Sequence, residues 1–204
     1  MGEQLESEHP RQGLLVVISG PSGVGKTTIA HAVKERLGAA FSISATTRPR
    51  SNQERDGVDY HFVSDERFRS MIDAGALLEH AEVFGRHWYG TPRQPVEEAI
   101  ATGGIIILDI DVQGALQIRR TMPEAFLIFI LPPSEEELMR RLRGRGRDDE
   151  AAIQRRFEEA KREIRLAKSS GAYDAFVVND DLNTARDEAS KLIESRRCRL
   201  PPQP

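Results

Sequence analysis

The apolar run Leu14-Leu15-Val16-Val17-Ile18 leads through Ser19 into Gly20-Pro21-Ser22-Gly23-Val24-Gly25-Lys26-Thr27, and a helical pattern, Ile29 through Leu37, opens directly behind it. Spaced glycines followed by lysine and a hydroxyl residue, with a strand before and a helix after, form the P-loop pattern. Each part has a separate task. The glycines let consecutive backbone N–H groups turn toward an anion with no Cβ in the way. The anion then sits at a helix N-terminus, where unpaired N–H groups and the positive dipole end favour it. Lys26 is placed to bridge the outer phosphates of a nucleoside triphosphate, and the Thr27 hydroxyl to ligate Mg²⁺. The loop is therefore expected to cradle such a triphosphate.

A strand that is apolar on both faces and feeds such a helix belongs inside a parallel sheet covered on both sides. The helix is expected to stop at Leu37-Gly38, and a second strand, Phe41 to Ser44, returns where a β-α-β unit would place it, which fixes a doubly wound α/β class. From about residue 44 to 92 the pattern changes to short, turn-rich segments: Tyr60 to Val63, a brief helix from Asp65 to Ala74, Leu77 to Val83, and Arg86 to Tyr89. These read as a small β-rich lobe inserted in the core. The core resumes with a helix from Pro92 to Ala101, the strand Ile105 to Asp109, a helix from Val112 to Arg120 and the strand Phe126 to Leu131. Ser134 then caps a helix whose first turn holds Glu135 to Glu137. Arg140, Arg141, Arg143, Arg145 and Arg147 crowd together with Gly144 and Gly146 before a long charged helix, 149–167. The strand Phe176 to Val178 and a helix from Thr184 to Arg196 complete the pattern.

Length and composition limit the partners. A chain of 204 residues, 39% hydrophobic and 30% charged, is expected to form one domain with appended lobes, and a net charge of -3 gives no global reason to expect nucleic acid. The single cysteine, Cys198, allows no intrachain disulfide, and no apolar stretch reaches the length of a membrane span. The expectation is a cytoplasmic protein, monomer or small homo-oligomer, with polar tails at 1–12 and 198–204 and a folded unit over 13–197.

A P-loop fixes the phosphoryl donor and leaves the acceptor open. The inserted lobe offers Arg48, Arg50, Tyr60 and Tyr89 as phosphate donors, and Ser44, Glu79 and Thr91 as polar groups able to read a base. Guanine presents two adjacent donors, N1–H and the 2-amino group, and a carboxylate accepts both in a bidentate fork. Adenine has no such pair. Glu79, in the otherwise apolar run Ala76-Leu77-Leu78-Glu79, suits that task, although an exposed alternate strand position would read the same way.

The segments Ile18 to Lys26, Thr46-Thr47-Arg48, Gly57 to Val63, Tyr89-Gly90-Thr91, Leu108 to Gly114 and Val178 to Leu182 resemble, in order and spacing, those of the guanylate kinase family. The resemblance implies a nucleoside monophosphate kinase fold with a core, a GMP-binding lobe at about 44–92 and a mobile lid at about 140–157. It implies Mg²⁺-dependent phosphoryl transfer from ATP to GMP, and to dGMP, giving GDP or dGDP. On the matching positions, Gly20, Pro21, Ser22, Gly23, Val24, Gly25, Lys26 and Thr27 hold ATP, and Asn179 lies in the loop that borders adenine. Ser44, Glu79 and Thr91 match guanine-reading positions, Arg48, Tyr60 and Tyr89 match the groups that hold the GMP phosphate, and Asp111 faces the acceptor. Asp109 holds Mg²⁺ through water beside Thr27, and Arg141, Arg145 and Arg156 join Lys26 around the transferring phosphates.

One departure is visible. The family spaces its two lobe arginines as Arg-x-Pro-Arg, whereas this chain reads Arg48-Pro49-Arg50, followed by Ser51-Asn52-Gln53-Glu54-Arg55 with the distance from Arg48 to Tyr60 kept. Arg50 is carried as the displaced second phosphate ligand. Three other readings remain: a P-loop kinase acting on a ribose bisphosphate, a non-catalytic phosphopeptide-binding scaffold, and an RNA-binding arginine patch. The base-reading set argues against the first, the intact P-loop and arginines against the second, and the absence of aromatics near the arginine cluster against the third.

Overall fold

The strand β1 (Leu14–Ser19) is buried along all six residues, and its alternate side chains feed two different cores. Leu14, Val16 and Ile18 face one layer of helices and Leu15 and Val17 face the other, because successive strand residues point to opposite faces. The computed structural model describes residues 12–83, 85–144 and 149–200. Its central sheet adds β2 (Ala40–Phe41), β7 (Ile105–Asp109), β8 (Phe126–Leu131) and β9 (Ala175–Val178) in the order β2-β7-β1-β8-β9, every pairing parallel.

On the first face, α1 (Lys26–Leu37) and α7 (Leu182–Cys198) bury Ile29, Ala30, Val33, Ala185, Ala189 and Ile193 against the sheet. On the second face, α3 (Arg93–Ala101) and α4 (Val112–Thr121) bury Val96, Ala115 and Ile118. Full burial of a Leu, Ile or Val side chain stabilises by roughly 1.5 to 3 kcal/mol, so these two layers fix the positions of the strand ends. The helix pair α5 (Glu135–Arg143) and α6 (Glu150–Ser170) forms its own small cluster through Leu138, Leu142, Ile153 and Ala160. Ser134 caps α5 by accepting from the Glu137 N–H at 3.2 Å, as its position before three glutamates predicts.

A second sheet, β4-β3-β6-β5, is built from β3 (Ala45–Thr46), β4 (His61–Phe62), β5 (Leu77–Val83) and β6 (His87–Pro92), with α2 (Asp65–Asp73) packing Phe68 against it. It is anchored to the core at one end of β5. Leu78 belongs to the core cluster of α3 and α4, the Gln117 side chain of α4 exchanges two hydrogen bonds with the His80 backbone, and the Thr121 hydroxyl donates to the Leu78 carbonyl.

Two sequence expectations change. The segment Phe41 to Ser44 is not one strand: the chain pairs with β7 through Phe41, and Ser42 still donates to the Ile107 carbonyl, but Ser44 already accepts from His61 of the second sheet. The alternating apolar residues Phe41 and Ile43 hide a crossover between sheets. Cys198, expected to open the C-terminal tail, instead ends α7, and Leu200 packs against the core. The N-terminal residues 1–11 and the C-terminal residues 201–204 lie outside the described residues.

Candidate active site

The loop from Gly20 to Gly25 joins the end of β1 to the start of α1, so its backbone N–H groups gather where the helix has no acceptors of its own to offer them. Gly25 occupies the N-cap with φ 90°, a left-handed conformation that glycine adopts without strain, and a Cβ there would lie 2.5 Å from the Asn179 amide nitrogen. Asn179, buried just after β9, donates to the Val24 carbonyl at 2.7 Å. A cavity of about 330 Å³ opens above the loop, lined by Gly20, Ser22, Lys26, Thr27, Asp111 and Glu163 among others.

Lys26 Nζ donates to Asp109 Oδ1 at 2.6 Å and Thr27 Oγ1 to Asp109 Oδ2 at 2.6 Å. The contact follows from the fold. Asp109 ends β7 opposite Ile18 of β1, so its carboxylate emerges beside the loop that leaves the neighbouring strand. Two residues on, Asp111 caps α4 by accepting from the Gly114 N–H at 2.8 Å, and its charge acts on both Glu79 and Glu163. Burial first, then the charges of Asp111 and Glu159, push the Glu163 carboxyl of α6 up to about 7.

In the second sheet, Glu79 of β5 and Thr91 of β6 are paired across the ladder and both buried. The Thr91 hydroxyl donates to Glu79 Oε1 at 2.6 Å, and the backbone of Gly114 leaves room for the other oxygen, since a Cβ there would come within 2.8 Å of Oε2. Burial pushes the Glu79 carboxyl up to about 7, against the Thr91 hydrogen bond, which lowers it. The exposed-strand alternative for Glu79 is thus excluded. Ser44, half-buried, precedes β3.

Arg48, Tyr60 and Tyr89 come together as the sequence predicts. Arg48 Nε donates to the Tyr89 hydroxyl at 3.1 Å, its guanidinium lies 5.5 Å from the Tyr60 ring centroid, and the two tyrosine rings meet edge to face at 5.8 Å. Burial raises the Tyr60 hydroxyl above its ordinary range, so it remains a donor at neutral pH. The remaining lobe arginine stands apart: Arg50 is exposed and donates to the Glu54 carbonyl at 3.2 Å.

Of the lid residues, Arg141 donates to Glu137 one helical turn earlier at 2.6 Å, and Arg156 lies on α6. Arg145 falls outside the described residues. Hydrogen bonds from Arg140 and Arg141 hold Glu137 down at about 2. Three carboxylates around the site carried no assignment from the sequence. Glu137 was findable from its i,i+4 spacing to Arg141. Glu54 and Glu163 were not, because loop closure brings Glu54 to Arg48 and the packing of α6 brings Glu163 to the cavity above the P-loop.

A phosphate cradle at the end of a parallel strand, facing a second sheet that presents a buried carboxylate and an arginine flanked by tyrosines, defines a P-loop phosphotransferase with a separate acceptor site. The profile of the family described as guanylate kinase matches residues 12–196. The chain is 52% identical over 179 residues to the guanylate kinase of Thermosynechococcus vestitus, covering 87% of this chain and 92% of that one. It is 50% identical over 188 residues to the guanylate kinase of Myxococcus xanthus, covering 92% and 88%. The crystal structure of guanylate kinase from Anaplasma phagocytophilum superposes with a TM-score of 0.74 at 34% identity, covering 93% of this chain and 89% of that one. The chain belongs to the guanylate kinase family.

Proposed function

We propose that this enzyme binds its two nucleotides on either side of Asp111, the donor on the P-loop and the acceptor on the second sheet. The reaction is the ATP-dependent phosphorylation of GMP to GDP. In our reading the backbone of Gly20 to Thr27 holds the ATP phosphates, Lys26 bridges the outer two, and Asn179 borders the adenine. Glu79 accepts N1–H and the 2-amino group of guanine, with Ser44 and Thr91 completing the base site. Arg48, Tyr60 and Tyr89, with Arg50 as the outermost candidate, hold the acceptor phosphate, and Asp111 faces the acceptor nucleoside. We read dGMP, which offers the same base and the same phosphate, as a second substrate.

The GMP phosphate is itself the nucleophile. Its second pKa lies near 6, so its oxygens are largely unprotonated at neutral pH and no general base is needed. What the protein must supply is in-line placement and neutralisation of two polyanions. Lys26, Arg141, Arg145 and Arg156 supply that charge, the last three from a lid at about 140–157. The Thr27 hydroxyl and the Asp109 carboxylate, 2.6 Å apart, are hard oxygen groups of the kind that Mg²⁺ takes alongside waters and substrate phosphates, Asp109 through water. Among the described residues no group of three or more His, Cys, Asp or Glu could hold a metal, which fits an ion shared with ATP. Bound there, Mg²⁺ would neutralise charge on the β- and γ-phosphoryl oxygens.

The observation that carries this reading is the buried Glu79 carboxylate, held by Thr91 at 2.6 Å and set against Gly114. An isolated buried carboxylate is costly, and a ligand that offers two adjacent N–H groups offsets that cost. A coupled assay for nucleoside diphosphate formation tests it with GMP, dGMP, AMP and ribose 1,5-bisphosphate. Turnover is expected with the first two only. Comparable turnover with AMP would remove the base-reading role of Glu79. No helix among the described residues is long and apolar enough to cross a membrane, and we place the enzyme in the cytoplasm, as a monomer or small homo-oligomer.

A further inference from the structure

A guanidinium carries five N–H donors in a fixed plane, and the neighbours of Arg48 take four of them. Nε donates to the Tyr89 hydroxyl at 3.1 Å. Nη1 donates to the Pro49 carbonyl at 3.0 Å and to Glu54 Oε2 at 3.0 Å, and Nη2 to Glu54 Oε1 at 2.5 Å. Glu54 thus grips the end of the fork with both oxygens. The fifth donor, the second Nη2 hydrogen, lies on the edge shared with Nε, beside the Tyr89 hydroxyl.

The carboxylate is itself held in place. Glu54 Oε2 also accepts from the Ser51 N–H at 2.9 Å, the Glu54 N–H donates to the Ser51 carbonyl at 3.2 Å, and Arg50 Nη1 donates to the Glu54 carbonyl at 3.2 Å. The loop after Arg48, where this chain departs from the Arg-x-Pro-Arg spacing, therefore closes into a turn that delivers one oriented carboxylate. The second arginine of the loop serves that turn.

We propose that Glu54 is a positioning residue for the acceptor phosphate, fixing Arg48 by the end of its fork so that the Nε–Nη2 edge faces an incoming phosphate monoester together with the hydroxyls of Tyr89 and Tyr60. This rests on the reading of the second sheet as the acceptor site. An arginine left to swing on its flexible stem must be ordered by each incoming ligand, whereas one held by a bidentate carboxylate is ordered beforehand. The opposite role is also physically defined: Glu54 could occupy the guanidinium in place of phosphate and have to leave before GMP binds. The remaining Nη2 hydrogen decides between them, because phosphate can take it, beside the Tyr89 hydroxyl that Nε already meets, with every Glu54 hydrogen bond intact.

The two roles give opposite signs in steady-state kinetics on the full chain, with GMP varied at saturating ATP and ATP varied at saturating GMP. Glu54→Ala is expected to raise KM for GMP by at least about tenfold, the scale of losing a charge-assisted bidentate contact. KM for ATP should stay within about threefold, and the melting temperature should be little changed. Glu54→Gln, which keeps one oxygen for Arg48, should fall between the parent and Glu54→Ala. A fall in KM for GMP in either variant would overturn the proposal in favour of competition. A parallel rise in both KM values with a lowered melting transition would overturn it in favour of a merely structural role. If Glu54→Ala does not fold, Glu54→Gln decides alone, and a KM for GMP no higher than the parent's overturns the proposal. Arg48→Ala separates the two levels of the argument. A raised KM for GMP in that variant beside an unchanged one in Glu54→Ala sinks the role of Glu54 only, and an unchanged one in both sinks the acceptor site itself.

Discussion

Replacing Glu79 by glutamine should make the empty enzyme more stable and the working enzyme much worse, and the two effects have separate magnitudes. The carboxyl is 6% exposed and its pKa is raised from 4.5 to about 7, chiefly by burial. At about 1.4 kcal/mol per pKa unit, its ionised form costs the empty fold on the order of 3 kcal/mol above pH 7. The sign follows from proton linkage. The folded protein binds the extra proton between about pH 4.5 and 7, so this residue's contribution to stability declines as pH rises through that window. Glutamine never ionises and removes the decline. The Thr91 hydrogen bond weakens once its acceptor is neutral, so a melting temperature raised by roughly 3 to 8 °C at pH 8, and little changed at pH 5, is the expected result for a domain of this size. Glu163 titrates in the same window, and comparing variant with parent at each pH cancels it. With the oxygen of the substituted amide on Thr91, its nitrogen faces the N–H groups of guanine, donor against donor. Loss of the charged pair and the clash together are worth roughly 3 to 5 kcal/mol of transition-state binding, at least about a hundredfold in kcat/KM for GMP. IMP, which lacks the 2-amino group, should be a weak substrate of the parent and lose less in the variant. A coupled assay and a pH series of melting curves read both halves. A kcat/KM for GMP within about threefold of the parent would refute the base-reading argument, and a melting temperature unchanged at pH 8 would refute the buried-charge argument.

Lys26→Ala removes the cation on the donor phosphates and leaves the Asp109 carboxylate with Thr27 as its remaining partner; kcat should fall at least about a hundredfold, the scale of one transition-state electrostatic group, and near-normal turnover would take the P-loop out of the mechanism. Gly114→Ala puts a methyl 2.8 Å from Glu79 Oε2, on a carboxylate that burial and the Thr91 bond to its other oxygen, Oε1, keep from moving away. It should raise KM for GMP by about tenfold or more with KM for ATP unchanged, and equal effects on both substrates would show that α4, not the base site, was disturbed.

The P-loop was legible because its determinants are local. Glycine spacing, an adjacent lysine and hydroxyl, and a strand apolar on both faces all lie within fourteen residues, Leu14 to Thr27, and β1, α1 and β7 fall where the pattern puts them. Glu79 stood out in the sequence as a candidate, but its burial was not readable, since that depends on Gly114 and Thr91 arriving from other elements. The crossover at Ser44 was hidden because strand alternation runs unbroken across it. Nothing in the run Ser51 to Arg55 announces that Glu54 returns to Arg48, because a turn of that length is closed by its own backbone hydrogen bonds and carries no periodic signal. Arg50 shows the converse limit. A guanidinium placed by sequence near a phosphate site is taken by whichever acceptor the loop brings closest, here the Glu54 carbonyl.

The bond from Asn179 to the Val24 carbonyl reaches across 155 residues, and a second one, from the Tyr173 hydroxyl to Ser19, across 154. The glycine-rich segment is made early in synthesis, yet the buried carbonyl in its middle has no partner until β9 has joined the far side of β8. Contacts of such sequence separation form late, because the closure entropy must be met before the contact rewards it. The P-loop is therefore expected to take its final shape late, and a chain without Asn179 in place carries the motif without that bond. The Asn179→Ala variant should bind a fluorescent ATP analogue more weakly than the parent under the same conditions; equal affinity would mean that the glycines alone shape the loop.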